Sequence, residues 1–304
     1  MTRELLPGQR AELLIVDVDS AAAVLRYSTD ALLIEAPNWS PDGRTLIVNG
    51  AGRLFCLGAE TGGLDEVDLG GIAGINNDHV LGPDGSTAYV SSDDGHIYAV
   101  KLDGSGRPRR VSNDNGEGFR HYLHGVSPDG TTLAYIGLAS AGGTVRTNVY
   151  LLPSAGGADI QLTDDRFPDD GAEFSPDGRW VYFNSERASS TPGHAQLFRM
   201  PAPPGVGGHA GPEQLTFDER VNWFPHPSPD GTRVAYVSFP PGTLGHPENV
   251  EVLVRLREAD GTIRDLARVL GGQGTMNVPS WDPTGRNIAI VAYPLEAQPS
   301  GPPR

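Results

Sequence analysis

Three histidines and one glutamate occupy matching places in a repeated sequence unit. His79 and His124 lie four residues before the proline of a tight turn, and Glu173 and His226 lie three residues before theirs. Imidazole nitrogens and a carboxylate oxygen form a donor set that suits manganese, iron, zinc or nickel, and suits calcium less well. The pattern predicts a divalent-metal site formed by the imidazoles of His79, His124 and His226 and the carboxylate of Glu173.

The same four residues have a plainer interpretation. A buried histidine often satisfies a neighbouring carbonyl group, and polar side chains commonly line a hydrated channel. Strand alternation also directs positions three and four before the proline to opposite faces, unless a bulge turns one of them. The sequence leaves the metal site and the polar channel lining as open alternatives.

Further polar and aromatic residues precede the same turns. Arg120 and Tyr122 are catalytic candidates that would orient an anionic group or a sugar hydroxyl, and their alternative role is that of solvated loop residues. Trp223 and Phe224 are predicted to form a stacking platform for a sugar ring, or else to pack as aromatic residues between blades. The candidate ligand-binding residues are Asp78, Asp170, Asn222, Trp223, Gln273 and Asn277.

These residues are organised by a unit of strand, turn and strand. The Pro-Asp-Gly sequence favours a tight turn, and the residues after it are rich in the β-branched and aromatic side chains of strands. The turn prolines are separated by 42, 45, 48, 53 and 54 residues, which is the period of a propeller blade. The copies are NWSPDGRTLIV (38–48), VLGPDGSTAYV (80–90), GVSPDGTTLAYI (125–136), EFSPDGRWVYF (173–183), SPDGTRVAYVS (228–238) and SWDPTGRNIAIV (280–291).

The repeat predicts an all-β fold, a six-bladed β-propeller of four-stranded antiparallel blades in a single domain, 1–304. Strands within 11–30 precede the first turn and are expected to complete the C-terminal blade, which closes the ring and removes its exposed edges. The Pro-rich segment 296–304 is expected to be a disordered tail. The predicted blades lie near 31–70, 71–115, 116–165, 166–217, 218–271, and 272–295 with 8–30.

The two faces of such a ring are expected to differ. The short, repetitive Ser-Pro-Asp-Gly turns mark one face, which we interpret as structural. Long loops at 139–148, 185–196 and 238–249 mark the other face, where the candidate residues also converge on the channel mouth. This loop face is therefore predicted to bind a small polar, carbohydrate-like ligand, with or without its transformation.

Composition excludes several other classes of partner. The net charge of −15 opposes binding to nucleic acid and to anionic membranes. The single cysteine, Cys56, rules out a disulfide framework. No apolar run is long enough to span a membrane, and the N-terminal residues do not have the pattern of a signal peptide, so we expect a cytoplasmic location.

The six turns, each within an x-x-P-x-F/W-S-P-D-G-like context, resemble those of the TolB-like six-bladed propellers, and the resemblance covers nearly the whole chain. It implies the propeller fold. TolB is a protein-binding partner in an envelope system, so the resemblance also implies the alternative function of a protein-interaction scaffold without catalysis.

The repeats are also distantly similar to those of the oligogalacturonate lyases, propellers in which histidines hold a divalent metal for β-elimination. This resemblance implies a metal-dependent, lyase-type or sugar-modifying activity. The implied roles are metal binding by His79, His124 and His226, base or ligand for Glu173, and neutralisation of a substrate carboxylate by Arg120.

Overall fold

The computed structural model describes residues 3–72, 74–202 and 211–295. Six antiparallel sheets account for the strands of this part of the chain, which contains no helix. A helix that could cross a membrane is accordingly not found among these residues. The predicted disordered tail, 296–304, lies outside the described residues.

Five sheets have four strands in sequential order, as the repeat predicts. They are β3 (Glu35–Trp39), β4 (Thr45–Gly50), β5 (Arg53–Gly58) and β6 (Leu64–Val67); β7 (Ile75–Leu81), β8 (Thr87–Ser92), β9 (Ile97–Lys101) and β10 (Arg109–Arg110); β11 (Phe119–Val126), β12 (Thr132–Ala141), β13 (Thr144–Pro153) and β14 (Ile160–Gln161); β15 (Asp169–Phe174), β16 (Trp180–Ser185), β17 (Gln196–Pro201) and β18 (Glu213–Gln214); β19 (Val221–Pro227), β20 (Val234–Phe239), β21 (Glu248–Arg257) and β22 (Ile263–Gly272). We number these blades 1 to 5.

Blade 6 joins the two ends of the chain, which confirms the predicted closure. The strand β1 (Ala11–Asp17) lies between β2 (Ala23–Thr29) and β23 (Asn287–Ala292) and pairs with both in antiparallel fashion. The segment 275–282 takes the innermost place as an irregular strand. The amide of Ala289 donates to Ser280 O at 2.8 Å, and Trp281 forms an isolated bridge.

The Ser-Pro-Asp-Gly turn is a self-contained hydrogen-bonding unit. In blade 5 the Ser228 hydroxyl donates to Asp230 Oδ1 at 2.5 Å, and the Thr232 amide donates to the same oxygen at 3.0 Å. Gly231 has a φ of 71°, a conformation in which a side chain would be strained. The serine and aspartate make the same contact in the turns of blades 1, 3 and 4.

Every innermost strand from β3 to β19 contains a register irregularity near its middle. An extra residue in one strand reverses the alternation of side chains beyond that point, so residues three and four before the proline need not point to opposite faces. Three of the bulges contain a residue with positive φ, namely Ala36, Gly171 and Phe224. The bulges therefore decide which side chains enter the channel.

Candidate functional site

A cavity of about 360 Å³ opens on the face opposite the turns, and we call it the loop-side cavity. The first halves of the innermost strands, parts of β12 and β13 and the long loop of blade 5 form its walls. Its lining residues are Asn76, Asn77, Asp78, Tyr122, His124, Ile136, Leu138, Thr147, Asp170, Phe224, His246, Gln273 and Asn277.

The centre of the loop-side cavity is a buried ion pair between blades 3 and 4. His124 Nε2 lies 2.9 Å from Asp170 Oδ1, and His124 Nδ1 lies 3.2 Å from the carbonyl oxygen of Asn277. Because both neighbours are acceptors, both ring nitrogens must carry protons to satisfy them, and the ring is then an imidazolium. The other carboxylate oxygen of Asp170, Oδ2, lies 3.7 Å from His246 Nε2.

The protonation states of this pair follow from its surroundings. Burial lowers the pKa of His124, but the Asp78 charge and the Asp170 hydrogen bond outweigh burial and raise that pKa to about 9. Burial raises the pKa of Asp170, whereas the hydrogen bond and charge of His124 outweigh it, so the net shift is downward. Burial dominates for Asp78 and raises its pKa. His124 is therefore cationic and Asp170 anionic at neutral pH.

This ion pair predicts a loss of stability at alkaline pH. His124 has a pKa of about 9 in the folded protein against 6.5 without perturbation, so its stabilising contribution is complete below pH 6.5 and disappears as pH rises through 9. The shift corresponds to on the order of 3 kcal/mol. Urea unfolding between pH 6.5 and 9.5 measures this loss of stability.

The matched control for that experiment is His124→Gln. We expect the variant to be less stable than the wild type at pH 6.5. Its free energy of unfolding should fall much less between pH 6.5 and 9.5, because no ionisable group remains at the position. An unchanged decline in the variant would assign it to other groups.

An aromatic wall stands beside the ion pair. The Phe224 ring stacks on His124 with 5.8 Å between centroids, and its edge contact with His246 measures 5.2 Å. Phe224 reaches this place from a bulge with a φ of 56°, and its amide donates to Asn184 Oδ1 at 3.0 Å. Strained backbone of this kind persists where the surrounding structure holds it.

A smaller recess of about 160 Å³ adjoins the loop-side cavity and shares Asn76, Asn77 and Gln273 with it. Arg3 lies in this recess, where its guanidinium pairs with Glu35 and Glu248. Two carboxylates thus face one guanidinium, and the recess adds no excess positive charge to the mouth of the channel.

Comparison with known proteins places the chain in a family. An uncharacterized protein of Agrobacterium fabrum is 38% identical over 272 residues, which are 87% of this chain and 86% of the relative. A structure from Agrobacterium tumefaciens that is named for TolB has a TM-score of 0.82 and 34% identity, and covers 94% of this chain and 98% of its own. The chain belongs to the TolB-like β-propeller family.

Two further comparisons complete this result. An oligogalacturonate lyase solved in complex with manganese has a TM-score of 0.57 at 14% identity, with 88% of this chain and 74% of the lyase covered. At that identity the likeness shows a shared propeller fold alone. No protein-family model matches the chain.

The TolB-like propeller brings half of the predicted site residues together. The six that line the loop-side cavity are Asp78, Tyr122, His124, Asp170, Gln273 and Asn277. His246, from the long loop at 238–249, joins them. The ring is held between Trp223, at 4.5 Å between centroids, and Phe224, and its Nδ1 contacts the Gln273 side chain.

His79 is not part of the loop-side cavity. In blade 2 the register is regular again at His79, which pairs with Val90, whereas His124 is the extra residue between the paired Leu123 and Gly125 in blade 3. The His79 ring is buried, and its Nε2 lies 3.3 Å from Ile47 O. His79 and His124 are equally far from their turn prolines in sequence, but their side chains therefore lie in different surroundings in the two blades.

Glu173 and His226 form a second buried pair, with 2.5 Å between Glu173 Oε2 and His226 Nδ1. The remaining ring nitrogen of His226 lies 3.2 Å from Met276 O. Neither side chain lines the loop-side cavity. Within the described ranges, no group of three or more histidine, cysteine, aspartate or glutamate side chains is arranged to hold a metal ion. This arrangement does not fit the metal centre predicted from His79, His124 and His226.

The other three candidates lie outside the cavity lining. The Arg120 guanidinium donates to Asp93 O at 3.1 Å in an exposed position. Asn222 is buried behind the cavity, where its oxygen accepts the Ser238 hydroxyl at 2.7 Å. Trp223 is also buried and packs on the His246 ring. Trp223 therefore supports His246, a residue of the lining, and does not itself line the cavity.

Proposed function

We propose that this TolB-like propeller binds a small, neutral, carbohydrate-like ligand in the loop-side cavity. The observation that supports the proposal is the lining, which combines amides, hydroxyls and two carboxylates with the aromatic rings of Tyr122 and Phe224. Its volume of about 360 Å³ lies in the usual range for ligand pockets, about 300–1,000 Å³. A sugar suits such a lining because each hydroxyl both donates and accepts a hydrogen bond.

The polar groups of the lining are of two kinds, carboxylates that only accept hydrogen bonds and amides that both donate and accept them. Asp78 and Asp170 supply carboxylate oxygens that accept hydroxyl protons, and such charge-assisted hydrogen bonds are the stronger ones. Asn76 and Gln273 present amides to the same space, and Asn76 Nδ2 already donates to Asp78 Oδ2 at 2.5 Å. The apolar face of a sugar ring would lie against the edge of Phe224.

The charges favour a neutral ligand over a uronic acid. The loop-side cavity has two carboxylates, Asp78 and Asp170, against the one cation of His124. Arg120, which the lyase resemblance assigned to a substrate carboxylate, lies outside the lining and donates to a backbone carbonyl. A ligand carboxylate would meet net repulsion in this cavity, in a protein whose overall charge is −15.

Binding is proposed here without a metal-dependent transformation. The manganese named with the oligogalacturonate lyase has no matching ligand group among the described residues of this chain. His124 is also a poor general acid in this state, because both of its N–H groups already donate to Asp170 and Asn277. The residues present therefore support recognition of a ligand better than proton transfer to it.

A protein-interaction scaffold is the second candidate function, as the name TolB suggests for the relative. Large apolar side chains are exposed on the loop face: Val145 by 60%, Leu244 by 70% and Phe217 by 75%. Exposed apolar side chains on one face are typical of a docking surface when they form a patch. Recovery of one stoichiometric partner that is lost on Leu244→Ser with Phe217→Ser would favour this candidate.

A thermal-shift screen tests the proposed ligand class. Neutral mono- and disaccharides are compared with their uronic acids at the same ionic strength. We expect at least one neutral sugar to raise Tm by roughly 5 °C at about 100 times its Kd, because a ligand stabilises the state that binds it. The matching uronic acid should give a smaller shift. Larger shifts with the uronic acids would contradict the charge argument.

A further inference from the structure

A second cavity, of about 370 Å³, opens among the Ser-Pro-Asp-Gly turns at the other end of the channel, and we call it the turn-side cavity. Residues of all six blades line it. The turn prolines of five blades form much of the wall, together with Trp39, Val80, Phe174 and Trp281. The sequence marked this face as structural, so a cavity of this size was not expected there.

One side chain in this mainly apolar lining is charged. Glu173 is 8% exposed, and its Oε2 is occupied by His226 Nδ1 at 2.5 Å. For Oε1 of Glu173, no protein hydrogen-bond partner is found among the described residues, and this oxygen is not one of the enclosed unpartnered atoms, so it is accessible from the cavity. An accessible carboxylate oxygen is a strong acceptor for a ligand that brings a proton donor.

The wall of the turn-side cavity includes two tryptophans, Trp39 and Trp281. The Trp281 Nε1–H donates to His226 O at 2.8 Å, and the Arg233 guanidinium covers its ring at 5.5 Å from the centroid. Trp39 belongs to blade 1, and its Nε1 is buried without a hydrogen-bond partner. Among the described contacts, no cation lies over the Trp39 ring.

We propose that the turn-side cavity binds a small organic amine, with an apolar ring or chain beside Trp39 and a protonated nitrogen on Glu173 Oε1. Three features suit this class of ligand. An ammonium group supplies the donor that Oε1 does not have, the Trp39 indole can pack against the apolar part, and the net charge of −15 draws cations to the protein.

The ionisation of Glu173 would be coupled to ligand binding. Burial raises the pKa of Glu173, and the charge and hydrogen bond of His226 offset that rise only in part. A ligand ammonium would add a second positive charge beside the carboxylate and favour its ionised form further. A neutral ligand of the same shape would not provide this compensation.

Calorimetric titration with three probes of one shape tests the proposal. Benzylamine is expected to bind saturably with one site, benzyl alcohol at least about tenfold more weakly, and benzoate not at all, because hydrogen bonds to charged groups are the stronger ones. Equal binding of the alcohol, tighter binding of benzoate, or no binding of benzylamine would overturn the proposal.

Two variants locate the site. Glu173→Gln should weaken benzylamine at least about tenfold, since it keeps the size of the side chain and removes its charge. Val126→Trp, at the partly exposed rim, should block the cavity without touching Glu173. Unchanged benzylamine affinity in a folded Glu173→Gln, or in Val126→Trp, would overturn the assignment.

The outcome is separable from that of the proposed sugar site. Leu138→Trp fills the loop-side cavity and should leave benzylamine binding unchanged, because Leu138 is not in the turn-side lining. A protein that binds benzylamine but no sugar would support this inference and reject the proposed function. The reverse result would reject only this inference.

Discussion

Asp170→Asn is expected to weaken sugar binding about 100-fold and to lower the free energy of unfolding by about 3–5 kcal/mol. Asp170 lies in the loop-side cavity with 22% of its side chain exposed, accepts a hydrogen bond from His124 at 2.9 Å and faces His246 at 3.7 Å. The amide retains the shape but removes the negative charge, which leaves a buried imidazolium without its closest partner. Loss of an acceptor for the ligand adds to that cost.

Urea unfolding and calorimetric titration measure the two effects of Asp170→Asn. The control is Asp65→Asn, which makes the same change at an exposed position of β6 and should alter the free energy of unfolding by no more than about 0.5 kcal/mol. If Asp170→Asn matched the control in both measurements, the ion pair would have neither of the roles assigned to it.

Leu13→Ala is expected to destabilise the protein by about 2–5 kcal/mol. Leu13 has no exposed surface and packs in the apolar cluster that joins blade 6 to blade 1. It also lies on β1, the strand that pairs with β23 and closes the ring. Truncation therefore leaves a cavity at the junction between the two ends of the chain.

The neighbouring strand offers a control for that prediction. Leu25 of β2 is 51% exposed, so Leu25→Ala should change the free energy of unfolding by no more than about 0.5 kcal/mol. Urea midpoints of the two variants with equal m-values give the comparison. Similar losses for both variants would contradict the account of ring closure.

The fold could be predicted because its signals are local and repeated. Each turn specifies its own conformation through Pro, Asp and Gly, and six copies, four of which read Ser-Pro-Asp-Gly, set the number of blades. The unpaired strands at the two ends predicted the closure between β1 and β23, because an open ring would expose edges. Both predictions follow from local sequence patterns, without knowledge of contacts between residues that are distant in the sequence.

The site was less predictable because bulges decide where side chains point. His79 and His124 have the same distance from a turn proline, yet one contacts Ile47 O between blades and the other pairs with Asp170 in the cavity. The position of a bulge depends on contacts with the adjacent blade, and a single sequence does not reveal them.

Two further features depend on the assembled ring. His246 reaches the cavity from a long loop, held between Trp223 and Phe224, and only the packing of that loop brings it there. Glu173 was predicted at the channel mouth of the loop face, and it lines the turn-side cavity instead. The depth at which a channel side chain lies depends on how far its strand tilts and bulges, and the repeat does not encode that.

The most direct test of the central claim is a calorimetric titration of the most stabilising neutral sugar into three proteins. We predict one binding site per chain in the wild type, no detectable binding to Leu138→Trp, in which an indole fills the loop-side cavity, and wild-type affinity in Val126→Trp, in which the turn-side cavity is blocked. Absence of binding by any neutral sugar, or wild-type affinity in Leu138→Trp, would contradict the claim that the loop-side cavity is a carbohydrate site.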